Sequence, residues 1–530
     1  MGARSMKDST SWRLKKPIAI HTQGLIASHF AHLPASCILF LQLPTDAGGA
    51  WLGELRSAIP ISHAAGSSED SSAAAIAFTY SGLIELGLPD DSLKSFARPF
   101  REGMHQIDRK RRLGDSQDPD VGNEIAGGSR WSANCADLVS TKIDSTVETA
   151  ITVHVALMLY ALDEVALGAL SSTARELLEV DGIKVVHKQL LWQKPDSSEV
   201  NREHFGFADG MSQPIPTGDA IELPDNPNMA DQLHWHGVPA GEILLGHQNA
   251  HSEYAAGPVV AKSQVTHSGL LSDKGVVPDN WNLGLNGSYL VIRELRQDVA
   301  AFWKCMEAAA KSVNRPGVDA KWLAERMIGR TLNGDTLVHG VPPMAQGSAV
   351  GNSFGYANTD MHGMGCPLGA HVRRANPRDS RPSRDGEHSN TADSAELLRS
   401  ANAHRILRRG RKYGTTLNNR FEDDHKERGL MFMCLATDLE RQFEFVQEHW
   451  LLNPNFATLE GETDPLLGPP IRTPNQVPGL TPNRMTIPAC PLRFRPPMAS
   501  YIQLAGGDYF FLPSLPALDY FSTLKSVCKS

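Results

Sequence analysis

The 530-residue sequence contains no pair of cysteines spaced CxxC, and its seven cysteines, at 37, 135, 305, 366, 434, 490 and 528, are widely scattered. That excludes a zinc ribbon and a disulfide framework and reads as reduced thiols. Runs of about 18 uncharged apolar residues are also lacking; the best candidate, Cys37 to Leu43, is only strand-sized, so no membrane span is expected. The basic stretch Met1 to Lys16 is not followed by an apolar signal core, and MGARSM has no Ser or Thr in sixth place for myristoylation, so the expected address is cytoplasmic. Positive charge is in deficit: 51 Lys+Arg against 59 Asp+Glu give a formal charge of -8 without a long basic block, the wrong sign for a dedicated nucleic-acid binder. No GxGxxG or GxxxxGK stands at a strand-to-helix junction, which removes the phosphate cradle of a Rossmann or P-loop domain.

What is present is an ordinary globular composition, 41% hydrophobic and 21% charged, in a chain long enough for two to four domains or two large ones at roughly 150 residues each. Short β-rich runs (Cys37 to Leu43, Ala74 to Tyr80, Val153 to Leu159, Gly287 to Arg293) mix with helical stretches (Asp91 to Arg98, Gln297 to Ser312, Ala320 to Ile328) without strict alternation, which reads as α+β. Leu439, Phe443, Val446 and Trp450 lie at helical spacing and predict an amphipathic core helix over 438–450. The run Gly429 to Leu435 predicts a strand buried on both faces. Charged and Ser-rich Arg378 to Ala392, and Pro-rich Thr458 to Pro497, predict surface excursions.

Three segments carry chemistry. In Glu203 to Pro214, Asp209 stands in a Gly206-x-x-Asp209-Gly210 loop whose glycines permit positive φ and a close backbone approach to a bulky partner, although Asp-Gly is also a common turn dipeptide. In Gly365 to Arg378 (GCPLGAHVRRANPR), His371 follows a small-residue run and precedes three arginines; an imidazole there suits an axial haem ligand and the arginines suit haem propionates. It is also one of 20 histidines. In Ala403 to Gly414, strand alternation puts Arg408 on the face opposite Leu407 and Arg409, where an inward guanidinium needs an anion or an electron-rich ligand; a solvated basic edge strand is the alternative.

Together and in this order, GFADG (206–210), CPLGAHVRRANPR (366–378) and HRILRRG (404–410) resemble the dye-decolourising (DyP-type) haem peroxidases. Supporting stretches include FTYSGLIELGL (78–88), GSYLVIREL (287–295), DLERQFEFVQ (438–447) and GGDYFFLPS (506–514), so the resemblance spans about residues 30 to 520. It implies an α+β fold of two ferredoxin-like halves with antiparallel sheets and peripheral helices: an N-terminal extension over 1–29, a half over 30–260 carrying the GxxDG loop, and a haem-binding half over 261–530. It implies one haem b with His371 as the iron ligand, Asp209 and Arg408 (Arg409 in the alternative register) as distal catalytic residues, and Gly206, Phe207, Ala208, Gly210, Arg374, Leu430 and Phe432 against the cofactor. Glu440 and Glu444 are the candidates for orienting the second nitrogen of His371. The implied activity is peroxide-dependent oxidation of small or bulky aromatic reductants, phenols and dyes, through a ferryl intermediate. The alternative is a haem-handling protein on the same fold with little turnover. No nucleic-acid or membrane partner is expected, and a homo-oligomer is compatible with the sequence.

Overall fold

The computed structural model describes residues 12–66, 70–115, 130–134, 151–193, 201–265, 272–343, 350–380, 391–468, 483–489, 492–498 and 500–526. Nine strands form the main sheet: β1 (Ala35–Gln42), β2 (Ser72–Phe78), β3 (Val155–Ala161), β4 (Lys184–Trp192), β5 (Ser288–Gln297), β6 (Leu407–Arg408), β7 (Arg411–Tyr413), β8 (Gly429–Ala436) and β9 (Ile502–Leu512). Their spatial order is β5-β9-β2-β3-β1-β4-β7-β8-β6, and β5 also pairs with β8, so the sheet closes on itself.

The order resolves into two units of the same design. The first, β2-β3-β1-β4, and the second, β9-β5-β8 with β6 and β7 beyond, are antiparallel throughout. In the first, the first and third strands in chain order lie side by side at the centre, and in the second β5 and β8 do the same once β6 and β7 are counted as one interrupted strand, the arrangement of a ferredoxin-like half. The seams between units are narrow: Phe511 pairs with Phe78 on one side and Lys412 with Trp192 on the other. In the first unit, α1 (Ala50–Ala58) and α2 (Glu164–Val180) connect the strands; α3 (Val299–Val313) and α4 (Ala320–Ile328) follow β5 in the second. Asp163, Asp298 and Asp319 cap α2, α3 and α4 through their side chains, each accepting an N–H in the first turn. Among the described residues no helix is long and apolar enough to cross a membrane.

Strand alternation sorts the core into two layers. Leu39, Leu41, Ile76, Phe78, Leu157 and Leu159 pack with Trp51, Leu52 and Leu55 of α1 and Leu167 and Leu178 of α2. Ile38, Phe40 and Met158, on the opposite face, share a second cluster with Leu290, Ile292, Met431, Met433 and Phe510, so the two units have a common core. Two buried arginines tie the N-terminal segment onto it. Arg409 donates to the carbonyls of Leu25 (2.9 Å) and Ile26 (2.6 Å); Arg411 donates to those of His29 (2.8 Å), Phe30 (2.8 Å) and Leu33 (2.7 Å) and to Ser36 Oγ (2.9 Å).

Several expectations need correction. The helix expected over 91–98 is divided into Asp90–Lys94 and Arg98–Glu102, because Pro99 has no N–H and fits only the start of a helix. The 438–450 helix is π-helical: Glu444 N–H reaches Leu439 O (2.9 Å) and Leu452 N–H reaches Gln447 O (2.9 Å). The wider turn buries polar Gln442 and Glu444 along with the expected apolar residues. In β8, Met431 and Met433 are buried but Leu430 and Phe432 are only half-buried, so the strand presents an open apolar face. Parts of the expected surface excursions are interior: Arg378 to Ser380 and Glu462 to Asp464 are buried, whereas 381–390 and 469–482 lie outside the described residues.

Replacing Arg411 by Met leaves its carbonyl acceptors buried and unmatched. Urea unfolding of Arg411→Met is expected to show a stability loss of about 3 kcal/mol or more, the scale for breaking a buried charged contact; a loss below about 1 kcal/mol would show that water replaces the guanidinium.

Candidate active site

The Gly206–Gly210 loop is built from its carboxylate side. Glu203 accepts the N–H groups of Phe205 (2.8 Å) and Phe207 (2.9 Å), and Gln297 donates to it from β5 (2.9 Å). Gly206 (φ 99°) and Gly210 (φ 84°) occupy the positive-φ region, where a Cβ would be strained. Phe205 and Phe207 are buried with Phe302 and Trp303, so Phe207 anchors the loop from below. Ala208 and Asp209 donate their N–H groups to Leu332 O (3.0 Å) and Asn201 O (2.9 Å). Asp209 is half-buried, and its Oδ1 accepts the N–H of Gly210 (2.6 Å).

Arg408 reaches this loop from the sheet. Leu407 and Arg408 pair with Leu435 and Cys434, and alternation along β8 places Cys434, Phe432 and Leu430 on one face with Arg408. Arg409 points the other way, into its contacts with Leu25 and Ile26. Arg408 Nη2 donates to the Met211 carbonyl, two residues beyond Asp209. Its backbone exchanges two hydrogen bonds with the Gln213 amide, at 3.1 and 3.3 Å.

Behind Arg408 lies a buried cationic cluster centred on Ser212 and Asn352. Ser212 Oγ accepts from Arg330 (3.3 Å) and Arg378 (3.1 Å), and Ser212 O from Arg405 (2.5 Å). Asn352 Oδ1 accepts from Arg330 (2.6 Å) and Arg378 (3.0 Å), while its Nδ2 donates to His236 Nε2 (3.1 Å). Burial, then the positive charges of Arg378 and Arg408, pulls Arg405 down to about 9; burial chiefly, with Arg330 adding to it against Tyr356, pulls Arg378 down to about 10. Among the described residues no carboxylate forms an ion pair with Arg378, Arg405 or Arg408. Arg378 also donates to the carbonyls of Asn352 (3.0 Å) and Phe354 (2.7 Å), so neutral acceptors meet these guanidinium groups while their charges stay close enough to repel.

His371 opens a short helix, α5 (His371–Ala375), after the Cys366–Ala370 turn. Asp360 holds that turn by accepting the N–H groups of Gly365 (2.9 Å) and Cys366 (2.8 Å), and Arg373 clamps it between Asp360 (3.2 Å) and Cys366 O (2.7 Å). His371 Nδ1 bonds Asp464 Oδ2 at 2.9 Å; the His371 side chain is 27% exposed and Asp464 fully buried. The other Asp464 oxygen accepts the N–H groups of Leu466 and Leu467, both at 2.9 Å. Burial by itself would raise the Asp464 carboxyl, but His371, the Leu467 N–H and Arg374 outweigh it and hold the carboxyl below its ordinary value.

The partner of His371 is therefore neither of the glutamates considered from sequence. Glu440 is exposed, and Glu444 is taken by Arg109 (2.6 Å) and Tyr509 Oη (2.7 Å). Asp464 escaped notice because it lies inside a proline-rich stretch; its signal is the Leu466-Leu467 pair just after it, an apolar step inconsistent with a wholly exposed loop. Arg374 also differs from expectation. Its guanidinium donates to the carbonyls of Trp450 (2.9 Å), Asn453 (3.1 Å) and Glu462 (2.6 Å), so it secures the segment carrying Asp464 rather than facing a cofactor carboxylate. Arg378 is the arginine of this motif that reaches the cationic cluster.

These side chains fit a haem. His371 is a single imidazole with Nδ1 engaged by Asp464 and Nε2 left over, and among the described residues no group of three or more metal-binding side chains forms an alternative centre. The half-buried Leu430 and Phe432 offer an apolar surface, and the cationic cluster offers counter-charge for two carboxylates.

No family model matches the sequence. The chain is 26% identical over 466 residues to a dye-decolorizing peroxidase of Mycetinis scorodonius, covering 84% of this chain and 75% of that one. It is 28% identical to a multifunctional dye peroxidase of an Amycolatopsis strain and 27% to a dye-decolorizing peroxidase of Exidia glandulosa, spanning 60% and 56% of their lengths and 60% and 61% of this chain. Its fold is similar to the DyP-type peroxidase of Anabaena (TM-score 0.65, 21% identity, 96% of this chain and 95% of that one). A dye-decolorizing peroxidase solved with 2,6-dimethoxyphenol is similar to the same degree (TM-score 0.65, 22% identity, 95% and 98%). The ordered set of motifs, the two ferredoxin-like halves and relatives that agree in name make the chain similar to the dye-decolorizing peroxidases.

Proposed function

We propose that the chain binds haem b and uses hydrogen peroxide to oxidise bulky aromatic donors, phenols and dyes, with His371 as iron ligand and Asp209 and Arg408 on the peroxide side. The observation that carries this reading is the His371–Asp464 pair: a partly exposed imidazole with one nitrogen fixed by a fully buried carboxylate and the other left to bind a metal. The phenol-bound solved relative supports an aromatic donor. The same reading assigns 30–260 to the half bearing the GxxDG loop and 261–530 to the haem-binding half.

Haem, when bound, supplies the redox-active iron that passes electrons from the organic donor to peroxide. The remaining work falls to the chain. Asp464 keeps Nδ1 of His371 protonated, which makes Nε2 the ligating atom and raises its basicity. Arg378 and Arg405 balance the cofactor's carboxylates, and Leu430 and Phe432 exclude water from its face. Asp209 has Oδ1 fixed by Gly210, so Oδ2 takes a proton from one peroxide oxygen and delivers it to the other. Arg408 sets a positive charge against the negative charge that develops on the leaving oxygen, which departs as water once Asp209 has protonated it. A carboxylate base in place of an imidazole favours turnover on the acid side of neutrality, since the reference pKa of carboxylates is lower.

Asp209→Asn and Arg408→Leu are expected to retain the Soret band but to slow its response to one equivalent of peroxide by about a hundredfold to ten-thousandfold. His371→Ala is expected to lose or loosen the haem. Stopped-flow absorption decides: wild-type rates in both distal variants remove them from the mechanism, and a wild-type Soret band that ignores peroxide favours haem handling.

The loop carrying Asp209 has its own pH dependence. Burial chiefly, and then the Asp209 charge, push Glu203 up to about 7 despite three donors to its carboxylate. A carboxyl whose pKa is raised on folding contributes stability that is full below its unfolded value, about 4.5, and is lost as pH rises through about 7. Urea unfolding of wild type should therefore weaken between pH 5 and 8, and Glu203→Gln should flatten that interval; an unchanged slope in the variant assigns it to other groups.

A further inference from the structure

Methionine sulfur is the other peroxide-reactive group that the chain places at the distal loop. Among the described residues, the methionine side chains outside the core are those of Met211, Met361 and Met364. Met364 is 48% exposed whereas Met211 is half-buried, so on exposure alone a dissolved oxidant meets Met364 first. Met211 is set apart by its place. It lies two residues beyond Asp209, and its carbonyl is the acceptor of Arg408 Nη2.

The Met211 thioether is held against a glycine. A Cβ added to Gly334 would stand 1.9 Å from Met211 Cε, 2.5 Å from Sδ and 3.2 Å from Ala208 Cβ, so the sulfur and the Ala208 methyl meet over Gly334 and bracket Asp209 in the chain. Gly334 itself has a φ of 94°, and its carbonyl accepts from Arg330 Nη1 (2.7 Å), an arginine of the cationic cluster. The sulfur is thereby pinned to the loop that carries Asp209, with no spare volume on its glycine side. A thioether is a two-electron reductant for peroxide, and the sulfoxide it becomes is polar and one oxygen larger.

We propose that Met211 is a modification site at which surplus hydrogen peroxide switches off turnover. The proposal rests on the peroxidase reading for the presence of peroxide at Asp209 and Arg408. The Met211 sulfur attacks one peroxide oxygen and the O–O bond breaks. Asp209 carries the proton of the transferred oxygen to the other, which leaves as water; sulfur gives up two electrons and peroxide takes them. Arg408 stabilises the leaving oxygen, so this oxidation runs ahead of what exposure dictates. The added oxygen finds no room beside Gly334, so the sulfoxide shifts Met211 and draws its carbonyl away from Arg408. An organic donor protects the residue by consuming peroxide first.

The test treats the haem-loaded protein with excess peroxide in the absence of donor. Peptide mass spectrometry follows the gain of one oxygen at each methionine, and the Soret response to fresh peroxide is read after desalting. Met211 should be oxidised at least about tenfold faster than Met364, a modest share of what proton delivery and charge stabilisation contribute together. The Soret response should fall in step, and methionine sulfoxide reductase should restore it. In Arg408→Leu the lead of Met211 over Met364 should vanish. Met211→Leu, measured against its own starting rate, should lose its response at least about fivefold more slowly than wild type. Oxidation of Met211 no faster than that of Met364, a lead that survives in Arg408→Leu, or a decline at wild-type pace in Met211→Leu overturns the proposal. A Soret band that responds to peroxide upholds the peroxidase reading whatever happens at Met211, so the two failures are distinguishable.

Discussion

Alternation along the short stretch from Leu407 to Arg411 is the constraint on which the rest depends. Two-residue periodicity in an extended chain sends Arg408 to one face of the sheet and Arg409 and Arg411 to the other. The pairings with β8 fix that register, since Arg408 opposes Cys434 and Arg411 opposes Met431. One face thereby gains a cation that reaches the Met211 carbonyl just beyond the Asp209 loop, and shares that face with the half-buried Leu430 and Phe432. The other gains two guanidinium groups that hold the chain between Leu25 and Ser36 by its carbonyls. A one-residue slip would exchange these roles and lose both the site and the attachment of the N-terminal segment.

The arginines on the two faces are stabilised differently. Arg409 and Arg411 are matched by carbonyl oxygens and hydroxyls, a closed arrangement that needs nothing more. Burial lowers Arg409 and Arg411 to about 10, as it does Arg378; what sets Arg405 apart is the added repulsion of Arg378 and Arg408, which takes it to about 9. A ligand bringing two carboxylates relieves that repulsion, so cofactor affinity and fold stability are linked: what binds only the native state stabilises it.

Legibility in the sequence followed the range of the interactions. The Gly206–Gly210 loop, the strand face of Arg408 and the capped helices α3 and α4 depend on residues within a few positions of each other, and composition and periodicity expose them. The closed sheet does not announce itself in this way, because its seams join Phe78 to Phe511 and Trp192 to Lys412 across hundreds of residues. Asp464 is 93 positions from His371 and sits in a stretch whose prolines suggest exposure. Arg374 looked like a charge available to a ligand; only the structure shows its guanidinium among carbonyls of 450–462. The π-helical turns near Glu444 follow from burying polar side chains beside Arg109, which no local apolar pattern encodes.

The two sides of the site are mechanically joined by the same node that holds the cationic cluster. Arg378 lies seven residues beyond His371 on the same segment, and its guanidinium reaches Ser212, three residues beyond Asp209. Arg405, three residues before Arg408, holds the carbonyl of that serine. Ser212 itself adopts a positive φ of 55°, a conformation unfavourable for a residue with a Cβ and one that its three arginine contacts sustain. The segments bearing His371, Asp209 and Arg408 thus meet at one residue that carries no charge and performs no chemistry. Displacing any of them strains the other two, so the spacing between His371 and Asp209 is set by backbone and guanidinium contacts.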